Sequence, residues 1–374
     1  FFLMIRRPPR STQAKTPFPT RRSSDPQSPT APIRGRTTQE RPTLKTIAQL
    51  SGLAIQTVSR ALGDAPDISQ KTKERVRQIA DEIGYVPNRA GVRLRTGKTN
   101  VISLDLATDH DAMNLTSRLI SSIATGLRGT PYHLVVTPDF PDDDPMKPIR
   151  YIVQNGTADA IIINRIQPED PRVRYLMDIG FPFVTHGRTI WSDQHAYFDY
   201  DNKAFGRLAV EALAKRGRKK LLLIAPPLDQ NYALEIVAGA DEAAKEAGIQ
   251  LDIAKGVDSD GKRAVISNHI RDLIAAIPEY DALVSPSPNA TMAAAAGIEE
   301  AGKRLGEDFD IFSKETVPIL SLFRPQILVA SEDVAKAGDF LSKAALKIIR
   351  KAPEPLMQAL DQPEEAPEDY ARST

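Results

Sequence analysis

The stretch from Thr43 to Leu94 constrains this chain more than any other. A short apolar-periodic segment, Leu44–Leu50, is followed by Ser51-Gly52-Leu53 and then by a second short segment, Ile55–Leu62. This spacing predicts two short helices joined by a tight glycine turn. That is a helix-turn-helix, whose second helix can enter the DNA major groove. A third periodic segment carries Val76, Ile79, Ala80 and Ile83 at helical spacing and closes at Gly84, a suitable C′ residue. Thr43 is expected to cap the first helix. Ile47, Ala48, Val58, Leu62, Val76 and Ile79 are the expected core of the three-helix head.

The second helix carries Gln56, Thr57, Ser59 and Arg60 on its polar side. The bland reading is a solvated face. A groove-reading face is favoured because the helix is short, follows a tight turn and sits in a basic module. Gln can pair with adenine through two hydrogen bonds, Arg with guanine, and a Thr methyl can meet the thymine methyl. Lys71, Lys73, Arg75, Arg77, Arg89, Arg93, Arg95 and Lys98 are candidates for phosphate contacts, which set register without reading sequence. Pro87 then biases Val86 away from helix. Asn88 can cap a further short helix, Arg89–Arg95, which would be marginal alone. Leu94 lies between two arginines and suits a wedge in the minor groove; the alternative is an ordinary linker leucine.

Charge is divided unevenly. Residues 1–40 hold 8 Lys/Arg and 2 Asp/Glu, residues 41–99 hold 11 and 5, and residues 100–374 hold 30 and 41. A basic front on an acidic body predicts that only the front meets a polyanion. Residues 1–40 contain seven prolines and no sustained period, and read as a disordered or artefactual leader. No apolar run approaches the roughly 18 residues of a membrane span. The chain has no cysteine, which excludes disulfides and thiolate chemistry, and its five histidines form no HExxH pair. No metal or cofactor is expected. An enzyme carrying an accessory head finds no support, because there is no P-loop, no GxGxxG after a strand and no nucleophile constellation.

From Val101 the pattern alternates strand and helix. Expected strands are 101–107, 133–137, 159–164 and 181–186 in a first set. Those at 196–201, 219–225, 281–286 and 308–313 form a second, with helices at 115–127, 203–215 and 236–247. Near-continuous apolar runs between helices mean parallel sheets covered on both faces. The fold class expected is an all-α helix-turn-helix head plus an α/β core of two Rossmann-like subdomains with a cleft between them. Ligands in such sheets bind beyond the carboxyl ends of the strands, which points to Asn164 and Arg165 after one strand and Arg188 after another. Trp191, the sole tryptophan, is a candidate for stacking on a ligand ring or, as readily, for anchoring its loop; Phe198 and Tyr232 are weaker aromatic candidates. The tail from Pro353 is acidic and proline-rich, and is expected to wrap the surface as irregular structure.

TLKTIAQLSGLAIQTVSRAL and YVPNRAGVRLRTGKTNVI together resemble the DNA-binding head and hinge of the lac repressor/galactose repressor family of bacterial transcription regulators. The body, through FPFVTHGRT, FDYDN and YARST, resembles that family's periplasmic-binding-protein-like core. The resemblance implies four regions: a leader over 1–40, a head over 41–86, a hinge over 87–100 and an effector-binding and dimerisation core over 101–374. It implies that Ile55, Gln56 and Arg60 face bases and that Leu94 kinks the operator centre. It also implies a cytoplasmic homodimer, most simply a repressor, on a pseudo-palindromic operator in double-stranded DNA. Its effector would be a small molecule, a carbohydrate by preference, with a nucleobase or phosphorylated metabolite as alternative. A sugar receptor without transcriptional role is a further alternative, disfavoured by the head. Arg188 matches the arginine of the family's Asp-Arg signature, with Gly187 in place of the aspartate. Glu315 falls where an effector-binding aspartate is usual, so Arg188 and Glu315 are expected to share the effector, against a competing reading of Arg188 tied to a domain-interface carboxylate. Ser287 and Pro288 stand where an Asn-Asp pair is frequent, and Ile236 replaces an effector-binding arginine three residues before Gly239. Ala54 replaces a capping serine, a loss of about 1 kcal/mol of local stability.

Overall fold

A computed structural model describes residues 41–86, 91, 93, 97–107, 113–140, 143–351 and 355–365. The chain divides into two compact units, with the division after residue 87. The leader 1–40, Asn88, Arg89 and Leu94, and the terminal 366–374 lie outside the described residues.

The first unit holds α1 (Leu44–Ser51), α2 (Ile55–Leu62) and α3 (Gln70–Glu82). Thr43 and Thr46 exchange side-chain and backbone hydrogen bonds in a reciprocal cap at the start of α1. Gly52 ends α1 at φ 72°, a left-handed conformation that glycine adopts without the steric cost of a Cβ. Ile47, Ala48, Val58, Ala61, Val76 and Ala80 form the core, with Leu62 and Ile79 packed at its edge. Alanines therefore take two inner places expected for larger residues, because three helices this short meet closely. Ala54 has cap-like backbone angles (φ −61°, ψ 143°) but makes no side-chain cap. Ala54→Ser is expected to stabilise the head by about 0.5–1 kcal/mol. Chemical denaturation followed by a head-specific probe checks this, and an unchanged midpoint would mean that the serine leaves the orphan N–H groups to solvent.

The second unit is built on two six-stranded sheets. The first contains β1 (Val101–Ala107), β2 (His133–Asp139), β3 (Ala160–Ile163), β4 (Phe183–His186), β5 (Ala196–Tyr200) and, from the tail, β11 (Gln358–Asp361), in the order β11-β5-β4-β3-β1-β2. The second contains β6 (Lys220–Leu223), β7 (Gln250–Ile253), β8 (Ala282–Ser285), β9 (Asp310–Glu315), β10 (Leu328–Ser331) and β12 (Glu364–Glu365), in the order β12-β10-β9-β8-β6-β7. All pairs are parallel except β10 with β12. Strand β3 reads Ala-Ile-Ile-Ile and is buried throughout, as a strand covered on both faces must be. Each sheet starts from an inner strand and winds both ways, which opens a crevice at the carboxyl ends of β1 and β3 and of β6 and β8.

Two expectations are corrected. Strand 196–201 does not open the second set, because β5 pairs with β4 and completes the first sheet. Within the described part of the tail, residues 355–365, the chain is not wholly irregular, because β11 and β12 extend one edge of each sheet. The chain changes subdomain three times: after β5, between β10 and α12 (Val334–Ile349), and between β11 and β12. Helix α12 crosses back to bury Val334, Ala337 and Leu341 against Leu119 and Ile123 of α4 (Met113–Gly126). In the second subdomain, α7 (Asn202–Lys215) and α8 (Asn231–Ala247) touch through glycines. A Cβ on Gly239 would lie 1.9 Å from the Lys203 carbonyl oxygen, and one on Gly206 would lie 2.2 Å from that of Ile236. Only glycine lets these two backbones approach so closely.

Candidate functional site

Two surfaces carry candidate chemistry, one in each unit. In the head, α2 buries Val58 and Ala61 and turns Ile55, Gln56 and Arg60 outward, with Thr57 and Ser59 half-buried between. Ile55 is 48% exposed, a large apolar side chain offered to solvent beside the exposed Gln56 and Arg60. Arg60 pairs with Asp67 at 2.5 Å, both about half exposed, so solvent screens the pair and it is weak. Not every basic residue expected to meet phosphate is available. Lys73 is buried and Arg77 is engaged, both on the carboxylate of Asp64 at 3.1 and 2.9 Å. These cations hold the loop before α3. In the second unit Arg93 donates to the Asn155 carbonyl at 2.6 Å, at the C-terminus of α5 (Met146–Asn155).

The second surface is a cavity of about 200 Å³ between the two sheets. From the first sheet, Asn164 and Arg165 follow β3, His186 ends β4, and Arg188 stands after Gly187. The second sheet contributes Asn231 and Tyr232 at the start of α8, Asp260 between β7 and α9 (Arg263–Ala276), Ser287 before α10 (Pro288–Glu300), and Lys314 in β9. Ser287 also caps α10, accepting from the Ala290 N–H at 3.2 Å.

Local geometry explains the placement. Arg172 in α6 (Pro171–Asp178) is buried and donates to the carbonyls of Asn164 and Arg165 at 3.3 and 2.7 Å. It is itself held by Asp105 at 3.0 Å and Asp170 at 2.7 Å. Desolvation outweighs the arginine and raises the Asp105 carboxyl to about 6. Gly187 sits at φ 120° beneath Ile166, a conformation that turns the chain so that Arg188 enters the cleft.

Arg188 does not pair with Glu315. Its Nε donates to Asp199 at 2.8 Å and its Nη2 to both oxygens of Glu235 at 2.8 and 2.9 Å. It thus ties β5 of the first subdomain to α8 of the second, as the competing reading had it. Burial pushes the Asp199 carboxyl up to about 7 despite the arginine, and raises Glu235 as well. Beside it the subdomains are joined by the Asn231 N–H on the Ile166 carbonyl at 2.8 Å, by Gln167 on Asp229 at 3.2 Å, and by Arg118 on the Thr316 carbonyl.

Glu315 is fully buried, and accepts from the Leu320 N–H at 3.0 Å and the Ser321 hydroxyl at 2.7 Å around α11 (Ile319–Phe323). Its neighbours Lys314 and Thr316 line the cleft, so strand alternation sends Glu315 to the other side. Trp191 is also outside the cleft lining. It packs against the cluster of Ile149, Val173 and Leu176 beneath the guanidinium of Arg174, at 5.7 Å from its ring, and anchors its loop. Ile236 is buried against α7 rather than in the cleft. The sequence reading missed Thr116, Asn231, Asp260 and Lys314 in the lining. Only the general rule of looking beyond strand ends pointed near the last three. Among the described residues no group of three or more His, Cys, Asp or Glu side chains is placed to hold a metal ion, and no helix is long and apolar enough to cross a membrane.

Comparison with known proteins covers both units. Residues 43–88 match the family described as bacterial regulatory proteins, lacI family, and residues 148–314 match the periplasmic binding protein domain. The HTH-type transcriptional regulator AglR of Rhizobium meliloti is 30% identical over 291 residues, spanning 76% of this chain and 80% of that protein. The lac repressor dimer, solved bound to operator and the anti-inducer ONPF, shares the fold with a TM-score of 0.74 at 19% identity, covering 87% of this chain and 98% of that one. The transcriptional regulator CelR, solved as a cellobiose complex, gives 0.63 at 21% identity, with 87% and 98% covered. With the head, the two-lobed α/β unit and AglR all in agreement, the chain belongs to the lacI family of bacterial regulatory proteins.

Proposed function

We propose that this chain is a sequence-specific DNA-binding transcriptional regulator, a repressor, whose operator affinity is set by a sugar in the cleft. The observation that carries this is the outward face of α2, with Ile55, Gln56 and Arg60 exposed on a helix-turn-helix unit. Gln56 and Arg60 supply base-edge hydrogen bonds, Ile55 and the Thr57 methyl supply apolar contact, and Ser59 supplies a further hydroxyl. Asn88, Arg89 and Leu94 are assigned to the hinge on the family resemblance alone. As a cytoplasmic homodimer the protein would present two heads to a pseudo-palindromic site, since a two-fold protein matches a two-fold sequence.

In the cleft, Asn164, Arg165, Arg188 and Ser287 are the effector contacts proposed, with Tyr232 offering a ring face. A sugar is favoured because this lining is rich in hydrogen-bonding groups and because CelR, a structural relative, was solved with cellobiose. The effector acts through its different affinity for two arrangements of the subdomains, an inducer favouring the one that does not hold operator. Selection of binding sites from a random duplex library tests the reading. Enrichment of a two-fold symmetric sequence is the expected result; no enrichment, or sites without half-site symmetry, would sink it.

A further inference from the structure

We infer that the cleft takes an uncharged, polyhydroxylated ligand and rejects phosphorylated ones, and that Thr116 and His186 are specificity-determining contacts to its hydroxyls. This rests on reading the cleft as the effector site, and it narrows the class of effector proposed for it.

The first observation is charge balance. Among the described residues, three cations line the cavity, and each is already neutralised. Arg165 faces Asp260 at 3.1 Å, Arg188 faces Asp199 and Glu235, each at 2.8 Å, and Lys314 faces Glu332 at 2.7 Å. Four carboxylates therefore meet three cations. Lys314 is further held over the Tyr200 ring at 4.7 Å. A phosphate brings a charge of about −1.5 to −2. To gain a cation here it would have to displace a carboxylate, and that carboxylate would then remain half-buried, unpaired and beside another anion. A neutral ligand leaves the ion pairs in place.

The second observation is independent of charge. Thr116 Oγ1 and His186 Nδ1 are buried and have no hydrogen-bond partner among the described residues, and both residues line this cavity. Buried polar atoms are nearly always paired in folded proteins, so unpaired ones on a cavity wall mark where a ligand's polar groups belong. A sugar hydroxyl suits both, because it donates and accepts at once. It can meet a threonine hydroxyl in either sense and a neutral imidazole nitrogen in either tautomer. Burial lowers the His186 pKa, with Glu332 and Lys314 acting on it in opposite directions, which disfavours a charge on the ring that could attract an anion.

The test is calorimetric titration of the full chain with glucose, cellobiose, maltose and melibiose, with glucose 6-phosphate and fructose 1,6-bisphosphate, and with adenine and hypoxanthine. The same titrations are repeated on Thr116→Val and His186→Leu. The expected result is binding of a neutral saccharide, with at least 100-fold weaker binding of the sugar phosphates. Each substitution should lower saccharide affinity about tenfold, the usual scale of one lost hydrogen bond. Neither should lower the thermal midpoint of the ligand-free protein by much, since Thr116 Oγ1 and His186 Nδ1 make no hydrogen bond among the described residues. That stability readout separates a ligand contact from a structural role, which would weaken the fold as well. A sugar phosphate binding more tightly than the neutral sugars would overturn the inference and leave the sugar-effector reading standing; a nucleobase doing so would overturn the inference and the choice of sugar, leaving the cleft as an effector site. Affinities within twofold of the parent in both variants would overturn the assignment to Thr116 and His186. Silence from every probe would overturn the effector reading and the inference together.

Discussion

Gln56→Ala is expected to lower affinity for the symmetric operator by about two orders of magnitude while leaving affinity for random duplex unchanged. Gln56 is exposed on α2 and contributes nothing to the Ile47, Val58, Val76 core, so the head should fold as before. A glutamine held bidentate on adenine is worth about 1–3 kcal/mol of discrimination. A dimer on a pseudo-palindrome loses that contact twice, so even the low end of the range gives a factor of about 30 and the middle far more. Nonspecific affinity comes from phosphate neutralisation and its counterion release, to which an uncharged side chain adds nothing, so the salt dependence should keep its slope. Arg60→Ala should also be costly, but it removes a positive charge and frees Asp67, so it weakens both kinds of binding. Fluorescence anisotropy on the selected operator and on a scrambled duplex, at one salt concentration, separates these effects. Equal losses on both duplexes would mean that Gln56 positions the helix instead of reading bases.

The head was legible because its signals are local. A threonine cap, a left-handed glycine and apolar positions three and four apart lie within a few residues of one another, and the structure uses each of them. The buried strands of the core were legible for a similar reason: β3 and β8 are apolar runs that no half-exposed strand would tolerate. What failed was long-range. The membership of β5 depends on its pairing with β4, and the return of α12 to the first sheet depends on a helix over 200 residues earlier in the chain. Their apolar stripes announce burial without saying against what. The tail was misread because Gln358–Asp361 is only four residues long and lies among prolines and acids, while its pairing comes from an edge already present on β5.

The cleft divides in the same way. Asn164, Arg165, Arg188 and Ser287 line it because strand ends in such sheets converge on one crevice, and that rule needs only strand positions. Glu315 and Lys314 are one residue apart and reverse roles, since a step of one along a strand exchanges the two faces. No sequence reading without the register could choose between them. The partner of Arg188 was equally hidden: Glu235 lies 47 positions away on a helix of the other subdomain.

That ion cluster supports the second large prediction. Arg188→Ala should destabilise the core by about 3 kcal/mol at pH 8, because breaking a largely buried pair strands its carboxylates. The loss should shrink on acidification. Asp199 and Glu235 already have folded-state pKa values above their ordinary range, that of Asp199 about 7, with burial as the leading cause. A carboxyl whose folded pKa is raised contributes stability that is fully present below its unfolded pKa and is lost as pH rises through the folded value. Without the arginine both values should move higher still, so the variant should recover most between about pH 7 and pH 4 as the pair takes up protons. Asp199→Asn with Glu235→Gln, added to Arg188→Ala, should restore much of the stability at pH 8 by removing the uncompensated charge. Thermal melts of the parent, Arg188→Ala and the triple variant from pH 4 to pH 8 decide it. A deficit independent of pH, and not relieved by the two amides, would mean that Arg188 stabilises the interface by packing its alkyl chain and that the carboxylates are incidental to it.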